Sequence, residues 1–371
     1  MMRVAVNGKS LGIAQAGGAV RVALNLIDHL AALPDDIQLD VFLPTAVDPT
    51  SSLKAGTNLR LIEPSGKHYR SGLQKSFWEQ WLLPARIKQQ GPYALLLNLT
   101  NSAPVLRSPG IPQLLLMHDA GFLHTEWFSR SYSRYVSALL KAAVRRGIQL
   151  VTVSETSASQ IRNAFPAIPH IDAVANGVDP APADFPDVMT TQPFVLFLGS
   201  INPRKNLTGA LRAFALLHQQ HPELQLLVAG AEKKLFANQD FDRETMQQVK
   251  FLGYVDEADK WALLKQAQAL LLPSFLEGFG LPIAEAMQLG TPAVVSDIPV
   301  FRELFGEIPF YVEPGSPQSI ARGLTRALSE GRSPDRIQAA QDCVRDYTWA
   351  AAAQQYAHIM RRIADSGGRS A

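Results

Sequence analysis

Two glutamates eight residues apart, separated by a glycine-rich loop, are the residues of this sequence best suited to chemistry. They are Glu277 and Glu285, and the letters between them include Gly-Phe-Gly-Leu-Pro. At the start of a helix, the N–H groups of Phe279, Gly280 and Leu281 would attract phosphate through hydrogen bonds and the helix dipole. Carboxylates accept hydrogen bonds from hydroxyls. A phosphate site between two carboxylates therefore suits a phosphorylated sugar.

The elements that must position these groups are a buried strand before the loop and a helix after it. The apolar run from Ala269 to Leu272 is typical of a parallel strand that is covered on both faces. Pro282 suits the first position of the helix, and Gly290 suits its C-terminal stop. This arrangement places Glu277 in the loop and Glu285 one turn into the helix.

Two other interpretations of the same stretch stay open at this point. Gly278 and Gly280 nearly match the dinucleotide fingerprint G-x-G-x-x-G/A, and Asp297 follows at the spacing of a ribose-binding acid. Ile283 takes the position of the third small residue, which counts against that interpretation. The remaining interpretation is an ordinary strand-turn-helix unit with a capping glutamate.

Length and composition indicate a two-domain globular protein. The chain has 371 residues, of which 47% are hydrophobic, enough for two full cores. No apolar run approaches the eighteen or so residues of a membrane span, and no signal segment opens the chain, so we expect a soluble, cytoplasmic protein. A single cysteine, Cys343, excludes an internal disulfide and a thiolate metal cluster.

The positive charge is concentrated in the first half of the chain. Residues 60–146 contain 12 Lys/Arg against 4 Asp/Glu, although the net charge of the whole chain is only +2. This excess is too weak for a nucleic-acid partner, and no DNA or RNA motif accompanies it. Basic residues mixed with aromatic ones suit an anionic membrane surface. The alternative is a solvated face with the tryptophans in the core. The residues concerned are Lys67, Arg70, Lys75, Phe77, Trp78 and Trp81, followed by Arg130, Arg134, Lys141 and Arg145.

Strands alternate with helices in two blocks, which predicts two doubly wound, Rossmann-like parallel sheets. A proline-rich stretch from Pro180 to Pro193 separates the blocks. We therefore expect one domain over residues 1–180 and a second over residues 181–347.

Further candidate residues follow strands, where open α/β sheets bind their ligands. Arg204 and Lys205 come between a strand and a helix, and a diphosphate is a natural ligand for both cations. The alternative is a solvated basic pair. His118 follows the strand Gln113 to Met117. Gly17-Gly18 lies in the first glycine-rich loop, where either ligand binding or unusual backbone angles would require glycine.

The two glutamates, the Gly-Phe-Gly-Leu-Pro loop and the run Arg204-Lys205-Asn206 together resemble the donor site of the retaining GT-B glycosyltransferases of family 4. The resemblance implies two Rossmann-like domains facing a cleft, with a C-terminal helix, residues 348–371, crossing back to the first domain. It implies a nucleotide-sugar donor on the second domain, with GDP-mannose favoured by its frequency in the family. A glycan or lipid-linked glycan acceptor would bind the first domain, in cell-envelope polysaccharide synthesis.

The resemblance also implies roles for individual residues. No carboxylate is poised as a nucleophile, so it implies same-face attack with the leaving phosphate taking the acceptor's proton, without metal or cofactor. Glu277 and His118 would contact the transferred sugar as catalytic residues. The donor-binding set is Gly18, Arg204, Lys205, Gly253, Tyr254, Val255, Phe279, Gly280, Leu281 and Glu285, with Glu285 on the ribose and residues 253–255 along the base.

Three other classes of protein would share parts of this pattern. A phosphorylase of similar fold would carry pyridoxal phosphate on a lysine. A nucleotide-sugar epimerase or oxidoreductase would act on the donor without an acceptor. A non-catalytic binding protein would bind the nucleotide-sugar without consuming it.

Overall fold

The protein forms two compact units, which we describe separately. The computed structural model describes residues 1–12, 17–34, 37–48, 51, 53–64, 66–186, 192–199, 202–230 and 246–367. The first unit comprises Met1–Gly177 with Thr348–Ala371, and the second comprises Val178–Tyr347. The boundary predicted from the sequence lies slightly later, after residue 180, and the predicted return of the chain begins at residue 348.

The first unit is built on a parallel sheet of seven described strands in the order β3-β2-β1-β4-β5-β6-β7. Strands β4 and β5 are fully buried and mostly apolar, and the last four residues of β1 are buried, because helices cover both faces of a parallel sheet. The strands are β1 (Met2–Asn7), β2 (Ile37–Phe42), β3 (Leu59–Ile62), β4 (Leu95–Asn98), β5 (Gln113–Met117), β6 (Gln149–Thr152) and β7 (Asp172–Ala173).

Helices of the first unit connect these strands, and one returns from the C-terminal end of the chain. They are α1 (Gly18–Ala32), α2 (Gly72–Phe77), α3 (Leu83–Gln90), α4 (Arg130–Arg145), α5 (Glu155–Ala164) and α12 (Trp349–Gly367). The returning helix α12 packs on α1 and β4.

Helices α2 and α3 are continuous through one π-helical turn, Trp78–Leu82. From the sequence, this stretch is recognised only as basic and aromatic. A π turn adds a residue to the helical repeat, so the 3.6-residue pattern of buried positions is interrupted there. The turn buries Trp78 and Glu79, whereas Trp81 stays 45% exposed. The two tryptophans thus divide between the core and the surface.

The second unit has a parallel sheet of six described strands in the order β10-β9-β8-β11-β12-β13. Two parallel α/β sheets confirm the predicted fold class. The strands are β8 (Phe194–Leu198), β9 (Gln225–Ala229), β10 (Val249–Gly253), β11 (Ala269–Leu272), β12 (Ala293–Ser296) and β13 (Phe310–Val312). The apolar core lies between this sheet and its helices, with Phe197 and Phe214 fully buried.

The helices of the second unit are α6 (Leu207–His218), α7 (Glu257–Gln266), α8 (Leu281–Gln288), α9 (Pro299–Phe305), α10 (Pro317–Glu330) and α11 (Pro334–Val344). Helix α8 begins one residue earlier than expected, so Pro282 is its second residue. Helix α9 is not expected from the sequence, because it is only seven residues long. The polar helix expected near residues 240–248 lies largely outside the described residues.

The return of α12 is fixed by one face of that helix. Its buried residues recur at helical spacing, and burial raises the pKa of Tyr356 because the phenolate would lose its hydration. At its start, Trp349 packs so closely on Gly177 that a Cβ at Gly177 would lie 2.2 Å from the Trp349 backbone nitrogen. Gly177 therefore has no room for a side chain.

We expect Gly177→Ala to destabilise the first unit by at least about 1–3 kcal/mol, because the added methyl overpacks a backbone contact. Urea unfolding followed by circular dichroism measures the loss. Gly56→Ala is the matched control, since a Cβ at Gly56 meets nothing within 4 Å. Equal stability of the two variants would contradict the assigned packing.

Candidate active site

Three loops of the second unit are joined by one asparagine. Asn206 lies between the 3₁₀ turn Pro203–Lys205 and α6, in the left-handed conformation at φ 57°. Its side-chain amide donates to Pro273 O at 3.1 Å and to Pro314 O at 2.7 Å, while its oxygen caps α6. The loops after β8, β11 and β13 are thereby tied together at the carboxyl edge of the sheet.

A buried ion pair lies at this junction. Lys205 Nζ is 2.5 Å from Glu277 Oε1, and the two side chains are only 12% and 7% exposed. Burial by itself would raise the pKa of Glu277, but the charges of Lys205 and Arg204 outweigh it and lower the pKa below its ordinary value. Glu277 is therefore ionised at neutral pH. The sequence-predicted cations and the first glutamate lie together.

Arg204 is held on the same loop by its backbone and its side chain. Phe275 N donates to Arg204 O at 2.7 Å, and the Arg204 guanidinium reaches Leu276 O at 3.4 Å. These bonds join the loops that follow the neighbouring strands β8 and β11. Two cations and a carboxylate thus converge where a parallel sheet binds ligands.

The glycine loop presents backbone amides without acceptors. Within the described part of the chain, no acceptor contacts the N–H groups of Phe279, Gly280 or Leu281. The Phe279 ring is buried against Phe305 and Tyr347, and Gly280 has φ +94° with the Phe301 ring too close for a Cβ. The loop is fixed by its packing while its amides stay available, as anion binding at a helix start requires.

The second glutamate has its own buried partner. Glu285 is 1% exposed, and its Oε1 accepts from Lys260 Nζ at 2.8 Å. Lys260 also reaches Glu257 at 2.6 Å and lies over the Trp261 ring. Residues Gly253 to Val255 precede helix α7, on which Lys260 lies. The chain turns at Gly253 with φ +69° and leaves Tyr254 68% exposed. The predicted base contacts therefore precede α7, and the predicted ribose contact lies on α8, to which Lys260 of α7 is bonded.

The acid that the dinucleotide interpretation requires, Asp297, already has an arginine partner. Asp297 is bound by Arg302 through two parallel bonds of 2.8 and 2.9 Å. The bonds to Arg302 lower the pKa of Asp297. Because this bidentate pair uses both carboxylate oxygens of Asp297, it argues against ribose binding by Asp297.

His118 lies in the first unit, directly after β5. Its Nε2 is 2.9 Å from Leu99 O, and its backbone N–H donates to Asn101 Oδ1 at 2.8 Å. A carbonyl only accepts, so Nε2 carries the proton and the Nδ1 lone pair is left as an acceptor. Burial lowers the pKa of His118 in spite of the bond to Leu99, so the ring is neutral at pH 7. A neutral histidine of this kind accepts a hydrogen bond from a hydroxyl.

Gly17 and Gly18 open helix α1 of the first unit with exposed backbone. Gly17 has φ −69°, and neither glycine adopts a positive φ. A Cβ at either position would meet nothing within 4 Å among the described residues. Unusual backbone angles therefore do not explain this pair. Residues 13–16 of the preceding loop lie outside the described residues.

Asn206 and Lys260 are two site residues whose roles the sequence analysis misses. Asn206 belongs to the Arg-Lys-Asn run, and its position before α6 is a capping signal that could have indicated its role. Lys260 lies among polar residues on α7 and has no distinguishing local signal; its partner Glu285 is 25 residues away. Long-range pairs of this kind depend on the tertiary fold.

The described residues contain neither a metal-ligating cluster nor a membrane-spanning helix. No group of three or more His, Cys, Asp and Glu side chains there has the geometry of a metal site. None of the described helices combines the length and the apolar character needed to cross a membrane.

Two family models match consecutive parts of the chain. Residues 16–182 match the model described as Glycosyltransferase Family 4, and residues 184–342 match the one described as Glycosyl transferases group 1. The division between the two models falls close to the division between the two structural units.

Individual relatives agree with these models. Glycogen synthase of Mycobacterium tuberculosis is 28% identical over 260 residues, covering 67% of this chain and 63% of the relative. Phosphatidyl-myo-inositol mannosyltransferase of Mycobacterium leprae is 32% identical over 182 residues, covering 47% of this chain and 48% of the relative. Both matches span less than two thirds of the relative's own length.

Among solved structures, the Anabaena protein HepE in complex with UDP-glucose superimposes with a TM-score of 0.71 and 19% identity, covering 98% of this chain and 100% of that one. A likeness at this identity concerns the fold. The predicted GT-B resemblance is confirmed by the fold and by the two family models together. The chain belongs to the group 1 glycosyltransferases of family 4.

Proposed function

We propose that the protein is a retaining glycosyltransferase that moves a sugar from a nucleotide-sugar to a glycan or lipid-linked glycan. The observation that carries this proposal is the convergence of Arg204, Lys205 and the ionised Glu277 beside a loop of amides without acceptors. Cations and amides suit a diphosphate, and a carboxylate suits the hydroxyls of the sugar. Family membership and a structural relative solved with UDP-glucose support the same class of donor.

The chemistry follows from where charge develops. As the diphosphate leaves, negative charge grows on its oxygens and the anomeric carbon becomes oxocarbenium-like. Arg204, Lys205 and the amides of residues 279–281 would stabilise that charge, which is usually the largest catalytic contribution. Same-face attack by the acceptor, whose proton passes to the leaving phosphate, retains the anomeric configuration. His118, neutral with Nδ1 as an acceptor, would hold a hydroxyl of the transferred sugar.

In this assignment the donor is bound without a metal or cofactor. GDP-mannose is the favoured donor, and the mannosyltransferase among the relatives supports that choice. A thermal-shift panel of UDP-, GDP-, dTDP- and ADP-sugars identifies the base, and proton NMR of the product identifies its anomeric configuration. A product with inverted configuration would contradict retention. An isomer formed from donor alone would indicate an epimerase.

Removing either cation should weaken donor use. Arg204→Ala or Lys205→Ala loses a charge-assisted bond of about 1.5–3 kcal/mol. This loss should lower kcat/KM for the donor roughly 10- to 150-fold. Arg204→Lys should recover part of the loss, because it keeps the charge without the fork. Lys265→Ala, an exposed lysine of the same unit, is the control. Wild-type transfer from limiting donor in either variant would refute the phosphate assignment.

The two glutamates should separate nucleotide binding from turnover. Glu285→Gln should weaken binding of a bare nucleoside diphosphate, because its proposed partner is the ribose. Glu277→Gln should leave that binding nearly intact and lower kcat, because its proposed partner is the sugar. Calorimetry measures the affinity of each variant for the bare nucleoside diphosphate, with exposed Glu330→Gln as the control. Equal loss of nucleotide affinity in the two variants would exclude this division of roles.

We propose further that the protein acts in cell-envelope polysaccharide synthesis from the cytoplasm, at the cytoplasmic face of the membrane. The first unit offers a basic surface with exposed aromatic side chains. On α4, four cations are exposed beside Tyr132 and Tyr135, and Leu73, Phe77 and Trp81 are exposed at four-residue intervals on the helix from 72 to 90. Arg107 bonds to Trp81 O and Arg146 to Leu106 O, which links the two surfaces. The four cations are Arg130, Arg134, Lys141 and Arg145.

Anionic vesicles should sediment this protein more than neutral ones at low salt. Each cation near the surface contributes about 1 kcal/mol, so a double change to serine at Arg130 and Arg134 should lower the partition coefficient roughly 30-fold. Changing exposed Arg212 of the second unit to serine should have little effect. Equal sedimentation with both kinds of vesicle at low salt would favour a soluble acceptor.

A further inference from the structure

A buried carboxylate in the first unit gathers polar side chains that the proposed transfer does not use. Glu79, in the π-helical turn, is 0% exposed. Its Oε1 accepts from Asn7 Nδ2 at 2.8 Å. Its Oε2 accepts from Lys9 Nζ at 2.8 Å, Ser102 Oγ at 2.6 Å and Gln80 Nε2 at 3.1 Å. The oxygens of Glu79 are thus already supplied with donors.

The cluster lies at the carboxyl edge of the first sheet. Asn7 ends β1, Lys9 follows in the next loop, and Ser102 lies in the loop after β4. This is the edge at which open α/β sheets bind ligands. Asn101, beside Ser102, holds the backbone N–H of His118. The cluster therefore adjoins the loop that positions the histidine.

Lys75 brings a second ammonium group to this cluster. Lys75 and Glu79 are four residues apart on a continuous helix, so they share one face. The Lys75 side chain is only partly buried, and within the described residues its ammonium group has no hydrogen-bond or ion-pair partner. Burial, and then the positive charge of Lys9, lower the pKa of Lys75. Lys75 therefore adds a second positive charge beside Lys9, whose own carboxylate partner, Glu79, is already satisfied.

We propose that Lys75 and Lys9 form a subsite for a phosphate ester on the acceptor. This inference rests on the proposed transferase function, since it describes the substrate that would bind the first unit. A phosphate accepts short, charge-assisted bonds from ammonium groups and balances the second positive charge. Glu79 and Ser102 position Lys9 for this contact. The phosphate belongs either to a soluble sugar phosphate or to a lipid-linked one.

Lysine acetylation of the full chain, read by peptide mass spectrometry, tests the subsite with inorganic phosphate as the probe. Phosphate should slow modification of Lys75 and leave Lys88, an exposed lysine on the same continuous helix, unchanged. Lys205 is read in the same samples with a nucleoside diphosphate, which tests the donor site independently. The subsite and the proposed function can therefore fail separately. Equal rates at Lys75 with and without phosphate would overturn the subsite.

Substitutions test whether phosphate protects Lys75 from acetylation by binding at Lys75 and Lys9. Lys9→Met should raise the phosphate concentration that protects Lys75 by about tenfold, for the loss of one charge-assisted bond. This change also removes a partner of buried Glu79, so Lys75→Gln, which breaks no bond among the described residues, is a second test. Lys75→Gln should weaken phosphate binding about tenfold in phosphorus NMR titrations, and Lys88→Gln should not. Unchanged binding in Lys75→Gln would refute the assignment.

Two further probes separate the sources of the phosphate. Protection of Lys75 by a hexose phosphate supports a soluble acceptor. Protection by phosphatidylcholine vesicles that contain phosphatidic acid, and not by phosphatidylcholine alone, supports a lipid-linked one. Protection by neither probe would overturn the proposal.

Discussion

A carboxylate that is buried and yet ionised is the constraint on which the second unit depends. Glu277 keeps its charge because Lys205 is 2.5 Å away, and removing one partner of a buried pair commonly costs about 3–5 kcal/mol. The pair forms only if the loops after β8 and β11 meet, and the amide of Asn206 joins those loops. Packing of Phe279 then fixes the amides of the adjoining loop. The proposed donor site is therefore one electrostatic unit.

The first unit also contains a buried carboxylate paired with a lysine. Its strands are mostly apolar where helices cover them, and the polar side chains around Glu79 lie at the ends of β1 and β4. Glu79 there is matched with Lys9 much as Glu277 is matched with Lys205. The two clusters have the same charge balance, because Arg204 and Lys205 lie at Glu277 and Lys75 adds a second positive charge beside Lys9 and its partner Glu79. The excess of positive charge is why we assign an anionic group to the acceptor as well as to the donor.

Local patterns predicted most of the fold and part of the site. The bounds of β5 and β11 agree with the sequence analysis to the residue, because each is a short apolar run that ends at a turn. The π turn between α2 and α3 was missed because it interrupts that pattern. Arg204, Lys205 and Glu277 were predicted because they follow strands, and Glu285 was predicted from its spacing beyond the glycine-rich loop. Their roles stay predictions, as does the metal-free mechanism.

The partners of the glutamates illustrate what local sequence does not contain. Lys260 meets Glu285 across 25 positions, and Lys9 meets Glu79 across 70. Neither pair has a spacing that a helix or strand would bring together. Such pairs follow from the order of strands in each sheet, which only the three-dimensional structure supplies.

The return of α12 to the first unit has a consequence for synthesis of the chain. The ribosome makes residues 1–177, then all of the second unit, and only then the helix that packs on α1 and β4. The second unit is continuous in sequence and can complete its sheet as soon as it emerges. The first unit, although translated earlier, keeps an uncovered apolar face until α12 leaves the ribosome. The first unit is thus begun first but completed last, after the second unit.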